Sequence, residues 1–171
     1  MPPIGETERL FRWITQQYGK PLYWHIRRIV VGHDDAEDVL QEAFISIFTH
    51  LRQLNNPANM KPWLYRIATN EALQHLRRQT RLFQSIDSLS QPLTEKLHAE
   101  TALDADAAEA LFHEALLQLP TMQRISFNLR YYDEMDYAEI SAVTGKSINT
   151  LKTNYHYATQ RIRKYINEHT Q

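Results

Sequence analysis

Two stretches of this chain carry side chains suited to holding a polyanion. In Trp63–Arg81, the aromatic residues Trp63 and Tyr65 interleave with Arg66, Asn70, Arg77, Arg78 and Arg81. Such rings can stack on unpaired bases while guanidinium groups hold a phosphate backbone. Trp63 and Tyr65 at helical spacing also fit an ordinary core stripe, so the two readings stand side by side. In Lys146–Arg163, the residues Asn149, Lys152, Thr153, His156 and Gln160 fall on one outward stripe of a helix. Asn and Gln can pair with adenine edges, and Lys and Arg with phosphate or guanine, so this stripe suits a major groove. The competing reading is a helical hairpin with a solvated basic end.

A third group is acidic. In Asp34–Leu54, Asp38, Gln41, Glu42 and Ile45 recur at three- and four-residue steps, opposite an apolar stripe of Ala36, Leu40, Ala43, Phe44, Ile47 and Leu51. Asp34, Asp35, Glu37 and Asp38 crowd the start, where a helix dipole favours negative charge. His33 beside Asp34 and Asp35 suggests a metal-dependent hydrolase, but such a site needs ligands from other elements, and His25 and His50 follow no ligand spacing. No Ser/His/Asp relay, glycine-rich phosphate loop or paired catalytic carboxylate stands out. The expectation is a protein that is not an enzyme, with no metal, cofactor or small-molecule substrate.

Charge and composition bear on that expectation. The formal net charge is −1, which by itself argues against a nucleic-acid partner. The charge is nevertheless segregated: Asp34–Glu42 holds five acids and no base, whereas Lys146–Lys164 holds five bases and no acid. Basic helices separated by acidic ones can bind a polyanion locally in a chain that is nearly neutral. The absence of cysteine rules out disulfides and thiolate metal sites and fits a reducing compartment. The N-terminal residues do not read as a signal peptide, and no apolar run is long enough to span a bilayer, so a cytoplasmic location is expected.

The elements that must position these groups read as all-helical, with only four glycines and no strand-like alternation. One helix is expected over Glu6–Tyr18, with Leu10, Phe11, Ile14 and Tyr18 inward. Gly19 and Pro21 separate it from a second over Leu22–Val31 that ends on Gly32 as C-cap. A third follows, capped by Asp34 or Asp35. Asn55–Lys61 is a loop, and Pro62 opens a fourth helix running to about Arg81. Four helices suffice for a first domain over 1–82. The polar stretch 83–106 reads as a flexible linker whose isolated Ile86, Leu89, Leu93 and Leu97 suggest that it packs onto something. A second domain over 107–171 follows. In it Asp136 and Glu139 form a capping box, Gly145 a tight turn, and Ser147 the cap of a long last helix. A short helix, a glycine turn and a longer basic helix make a helix-turn-helix.

Taken together, these residues resemble the sigma-70 superfamily, in particular the small extracytoplasmic-function (ECF) sigma factors of bacterial RNA polymerase. DAEDVLQEAFISIF, Asp35–Phe48, is similar to the segment of region 2 that binds core polymerase. WLYRIATNEALQHLRR, Trp63–Arg78, is similar to the segment that recognises and melts the −10 element, and Leu119–Ile166 to region 4, which reads the −35 element. The resemblance implies that Asp35, Asp38, Gln41, Glu42 and Ile45 dock on the clamp of the largest polymerase subunits. It implies that Asn55, Asn56, Asn59 and Lys61 form a loop capturing a flipped −10 base, and that Trp63, Tyr65, Arg66, Asn70, Arg77 and Arg78 face the promoter. It places Lys146, Ser147, Asn149, Thr150, Lys152, Thr153 and His156 at the −35 element. It also implies an anti-sigma partner, often a membrane protein. The sequence departs from the family at Gln74 and His75, around which many relatives carry an acid, and at Asn154 and Tyr157, where arginine is common. Fewer cations imply a shallower salt dependence of binding, roughly 0.9 per lost phosphate contact. The rival reading, a stand-alone helix-turn-helix regulator, leaves the acidic helix and the Trp63 helix unexplained.

Overall fold

The computed structural model describes residues 4–80, 85–101 and 106–170. Among them are helices and turns but no strands. The chain divides into two compact units, Met1–His75 and Leu76–Gln171.

The first unit holds α1 (Ile4–Val30), α2 (His33–His50) and most of α3 (Met60–Gln79). The two helices expected on either side of Pro21 are one continuous helix. An interior proline removes a backbone bond and costs about 3 kcal/mol. Here Ile14, Leu22, Ile26, Ile29 and Val30 are buried along one stripe that spans the proline, and burying each is worth roughly 1.5–3 kcal/mol. Packing therefore outweighs the local break. The bend between α1 and α2 also differs from expectation. Val31, not Gly32, takes the left-handed conformation, at φ 73. That is a strained position for a β-branched residue, and Arg27 Nε steadies it by donating to the Val31 carbonyl at 2.5 Å. Arg27 Nη1 also donates to the Tyr23 hydroxyl at 3.0 Å, and that hydroxyl is 2.5 Å from His33 Nδ1. With the turn made at Val31, the N-cap of α2 is Gly32, without a side-chain cap, rather than Asp34 or Asp35. The core stripe of α2 is correspondingly Ala36, Val39, Ala43 and Ile47, with Leu40 and Phe44 only half-buried at its margin.

The stretch expected as a linker is largely helical. A 3-10 turn at Ile86–Leu89 runs into α4 (Ser90–Thr101), and Leu89 and Leu93 are buried. Pro92 lies in the first turn of α4, where a missing N–H does no harm. Residues 81–84, Arg81 among them, and 102–105 lie outside the described residues. The Asp87 carboxylate accepts the Thr121 backbone N–H at 2.7 Å. It thereby caps α6 (Thr121–Tyr131), whose own N-cap, Pro120, has no side-chain acceptor. His98 hydrogen-bonds Glu114 on α5 (Ala107–Leu117).

The second unit is completed by α7 (Tyr137–Thr144) and α8 (Ile148–His169). Its core includes Ala115, Leu116, Leu119, Phe127, Ala158 and Ile162. Asp136 and Glu139 form the expected reciprocal capping box at the start of α7. Gly145 ends α7 at φ 76, a conformation that penalises any residue with a Cβ. The reversal it permits sets α8 across α7 as a helix-turn-helix.

Candidate nucleic-acid interface

α3 presents its expected stripe. Arg66, Asn70, Gln74, Arg77 and Arg78 are exposed, and Trp63 and Lys61 are half-buried at its start. Tyr65 does not belong to this set, contrary to expectation: it is 2% exposed and its ring packs 5.1 Å from that of His25 on α1. The cause is periodicity. Tyr65 shares the inward face with Leu64, Ala68, Thr69, Ala72 and Leu76, all buried. Of the two aromatics, only Trp63 keeps a free edge.

Behind that stripe lies a polar lock. His25 is fully buried, and its Nε2 is 2.7 Å from Thr69 Oγ1. Burial, aided by the Arg28 charge, lowers the His25 pKa from 6.5 to about 3, so the ring is neutral at physiological pH. A neutral imidazole can share a hydrogen bond with a hydroxyl without burying a charge, and this ties α3 to α1 at mid-helix.

In the loop before α3, Asn55, Asn56, Pro57, Ala58 and Asn59 are exposed. Pro57–Asn59 form a 3-10 turn, and Asn56 Oδ1 accepts the Ala58 N–H at 3.0 Å. Asn56 is thus part of the turn's own scaffold, while Asn55 and Asn59 flank it.

On α2, Asp38, Gln41, Glu42 and Ile45 share an exposed face, with Ile45 55% exposed. Asp35 stands apart from them. It is half-buried, and its carboxylate is 3.5 Å from His75 of α3, at one of the positions where the sequence departs from the family pattern. The Asp35–His75 contact ties α2 to α3, which sets Asp35 apart from a freely exposed docking group. Beside the exposed face runs an open apolar groove of about 530 Å³ between α1 and α2, lined by Phe11, Leu40, Phe44 and Phe48 and edged by Gln41 and Ile45. Phe11 packs edge-on against Phe44 and Phe48 at 6.1 and 5.1 Å. Sequence reasoning assigned Phe11 and Phe44 to the core and gave Phe48 no role. The signal that could have found the groove was the i, i+4 pair Phe44–Phe48 beside an exposed Ile45.

On α8, Asn149, Thr150, Lys152, Thr153 and His156 are exposed, while Leu151, Ala158 and Ile162 are buried. Ser147 caps the helix by accepting the Thr150 N–H at 3.2 Å, and its hydroxyl also meets Thr150 Oγ1 at 2.8 Å. Ser147 and Thr150 are therefore partly engaged with each other. The Lys146 carbonyl accepts from Ser141 Oγ at 2.7 Å, fixing the turn before the helix. Among the described residues no three His, Cys, Asp or Glu side chains converge on a metal-sized site. His33 is occupied by Tyr23 and by Glu37 at 3.4 Å.

Two helices with exposed basic faces, one in a unit that also exposes an acidic helix face and one set in a helix-turn-helix, are suited to hold a polyanion at two places. Comparisons with known proteins give the chain a family. Residues 14–82 match Sigma-70 region 2 and residues 109–162 match Sigma-70, region 4. The chain is 30% identical to the RNA polymerase sigma-H factor of Pseudomonas aeruginosa, over 93% of this chain and 87% of that protein. It is 25% identical to the ECF RNA polymerase sigma factor SigW of Bacillus subtilis, over 92% and 89% of the two chains. Its fold is shared with the sigma factor RpoE of Bartonella quintana, solved with the anti-sigma factor NepR, at TM-score 0.71 and 20% identity over 92% and 96% of the two chains. It is also shared with CnrH, solved with the cytosolic domain of CnrY, at TM-score 0.68 and 19% identity over 95% and 91%. The chain belongs to the sigma-70 family of RNA polymerase sigma factors, in its extracytoplasmic-function branch. It directs core polymerase to promoters and initiates transcription, within a family of non-catalytic regulators. No helix among the described residues is long and apolar enough to cross a membrane.

Proposed function

We propose a division of labour among three faces. The exposed face of α2, carrying Asp38, Gln41, Glu42 and Ile45, docks on the polymerase clamp, with the groove at Phe48 receiving an apolar side chain of the partner. The segment Asn55–Lys61, which runs from the loop into the first turn of α3, captures an unstacked base of the −10 element, and Trp63, Arg66, Asn70, Arg77 and Arg78 hold the opened strand. Trapping an extruded base stabilises melted DNA much as base-flipping enzymes do. The face begun by Asn149, Lys152, Thr153 and His156 enters the major groove of duplex −35 DNA.

The observation that carries this reading is the separation of charge by face. Arg66, Asn70, Arg77 and Arg78 are exposed along α3, while Asp38 and Glu42 are exposed along α2. Exposed on separate helix faces, neither set is buried against the other, so both are available to partners. Both solved neighbours are complexes, one named with an anti-sigma factor. For this chain, the reading includes an anti-sigma factor, anchored in a membrane, that regulates it by covering the α2 face. The setting for such a factor is the cytoplasm, where polymerase and chromosome meet.

Adding the purified chain to core polymerase and mapping run-off start sites over a genomic library tests the reading. Stable core association with discrete start sites is the expected result. Duplex binding without core association would favour a stand-alone regulator instead.

A further inference from the structure

One ring links three elements of the second unit around the start of α7. The Arg130 guanidinium of α6 lies over the Tyr137 ring at 4.4 Å from its centroid, and the Lys152 ammonium of α8 lies over the same ring at 5.9 Å. The two cations are therefore no more than about 10 Å apart. Among the described residues neither makes an ion pair. The acids nearest to Tyr137 in sequence are Asp133, Glu134, Asp136 and Glu139. Asp136 and Glu139 are turned onto each other's backbone in the capping box, at 2.8 and 3.3 Å. Arg130 is further fixed by donating from Nη1 to the Met135 carbonyl at 3.2 Å, and Met135 is fully buried. A series of contacts thus runs from the buried Met135 turn through Arg130 and Tyr137 to an exposed lysine at the second turn of α8.

Gathering two like charges is unfavourable in the free protein, and the negative ring face offsets only part of that. A polyanion reverses the balance. Fixing a lysine before binding also removes part of the conformational entropy that binding would otherwise lose.

We propose that Tyr137 is a positioning residue that holds Lys152 and Arg130 together as a preformed pair for the backbone phosphates of duplex DNA, with Arg130 as an additional phosphate contact. This rests on the reading of α8 as the helix that meets the duplex. It assigns roles to two residues outside the recognition helix, and it makes the pair a device for register rather than for base identity.

The test is a double-mutant cycle on the full chain with a mixed-sequence DNA duplex, read by fluorescence anisotropy in salt from about 50 to 200 mM. Tyr137→Leu is expected to weaken binding about two- to fivefold, and Lys152→Ala to matter less by a similar factor in that background than in wild type. Tyr137→Phe, which keeps the ring, is expected to preserve both affinity and coupling. Arg130→Gln is expected to lower the salt slope by about 0.9. If the effects of Tyr137→Leu and Lys152→Ala simply multiply, Tyr137 is a packing residue and the proposal falls while the −35 reading stands. If wild-type protein does not bind duplex at any salt concentration, both fall. Should Tyr137→Leu not fold by circular dichroism, the Arg130→Gln slope decides, and an unchanged slope overturns the proposal.

Discussion

α3 and α8 are both long basic helices with a buried stripe behind an exposed one, yet they are anchored at different points. α3 is held from behind its middle, where Tyr65 and Thr69 meet the buried His25 of α1. α8 is held at its first turn, where Ser147 caps Thr150 and Ser141 fixes the Lys146 carbonyl. Anchoring at mid-helix leaves the whole outer length of α3, and the loop before it, available to an extended strand. Anchoring at the start fixes the N-terminal turns of α8, the part of a recognition helix that reaches base edges. The side chains follow the same division. α3 offers an indole edge with guanidiniums at Arg66, Arg77 and Arg78, which suit unstacked bases and their backbone; α8 offers short polar groups and a lysine, which suit a groove.

The most disruptive way to break this comparison is acid. The His25 pKa is lowered from 6.5 to about 3, so the unfolded chain takes up a proton that the folded one excludes. The stabilising contribution is fully present above pH 6.5 and is lost as pH falls toward 3, by up to about 1.4 kcal/mol per unit. The first unit should therefore lose more stability between pH 7 and pH 5 in wild type than in His25→Gln, which keeps a partner for Thr69. Thermal melts at the two pH values check this, and equal losses would show that His25 is protonated in the folded unit.

The second unit meets the same difficulty with a charge rather than a neutral ring. Arg124 is 2% exposed, and burial lowers its pKa to about 10 against the opposing pull of the Asp87 carboxylate. Asp87→Ala removes both that carboxylate and the cap on Thr121. It should destabilise the second unit by about 1–3 kcal/mol, seen as an earlier denaturant transition, and should raise proteolysis within Ser90–Thr101.

Glu42→Arg combined with Ile45→Ala should weaken core association at least about tenfold while leaving helical content unchanged, as expected when a charge and an apolar contact at an interface are both lost. Unchanged core affinity in a binding titration would make that face solvated surface. The smallest expected effect is Ser147→Ala, at about 1 kcal/mol from the lost cap. It should speed amide exchange at Asn149 and Thr150 without touching α3.

The exposed faces were legible in the sequence because they rest on helical periodicity and on local capping chemistry. Asp136 with Glu139, Gly145 and Ser147 all sit where their residue types predict. What was not legible depended on contacts between elements. Nothing local says that packing carries α1 through Pro21, that Val31 rather than Gly32 takes the left-handed turn, or that Tyr65 turns inward to His25. The polar segment 85–101 read as a linker because its apolar residues are sparse. Two buried leucines and one long-range carboxylate contact, from Asp87 to Thr121, nevertheless fold it onto the second unit. Sparse patterns of that kind acquire meaning only when their partners, here more than thirty positions away, are in view.

The central claim is that α3 and its loop stabilise an opened −10 strand, and Trp63→Ala tests it most directly. Transcription is measured with core polymerase on a duplex promoter and on the same promoter with the −10 region mismatched and therefore already open. The account predicts a loss of roughly tenfold on the duplex, consistent with one lost stacking contact, and near-complete recovery on the open template. An equal loss on both templates would contradict it, placing Trp63 in folding or docking rather than in melting.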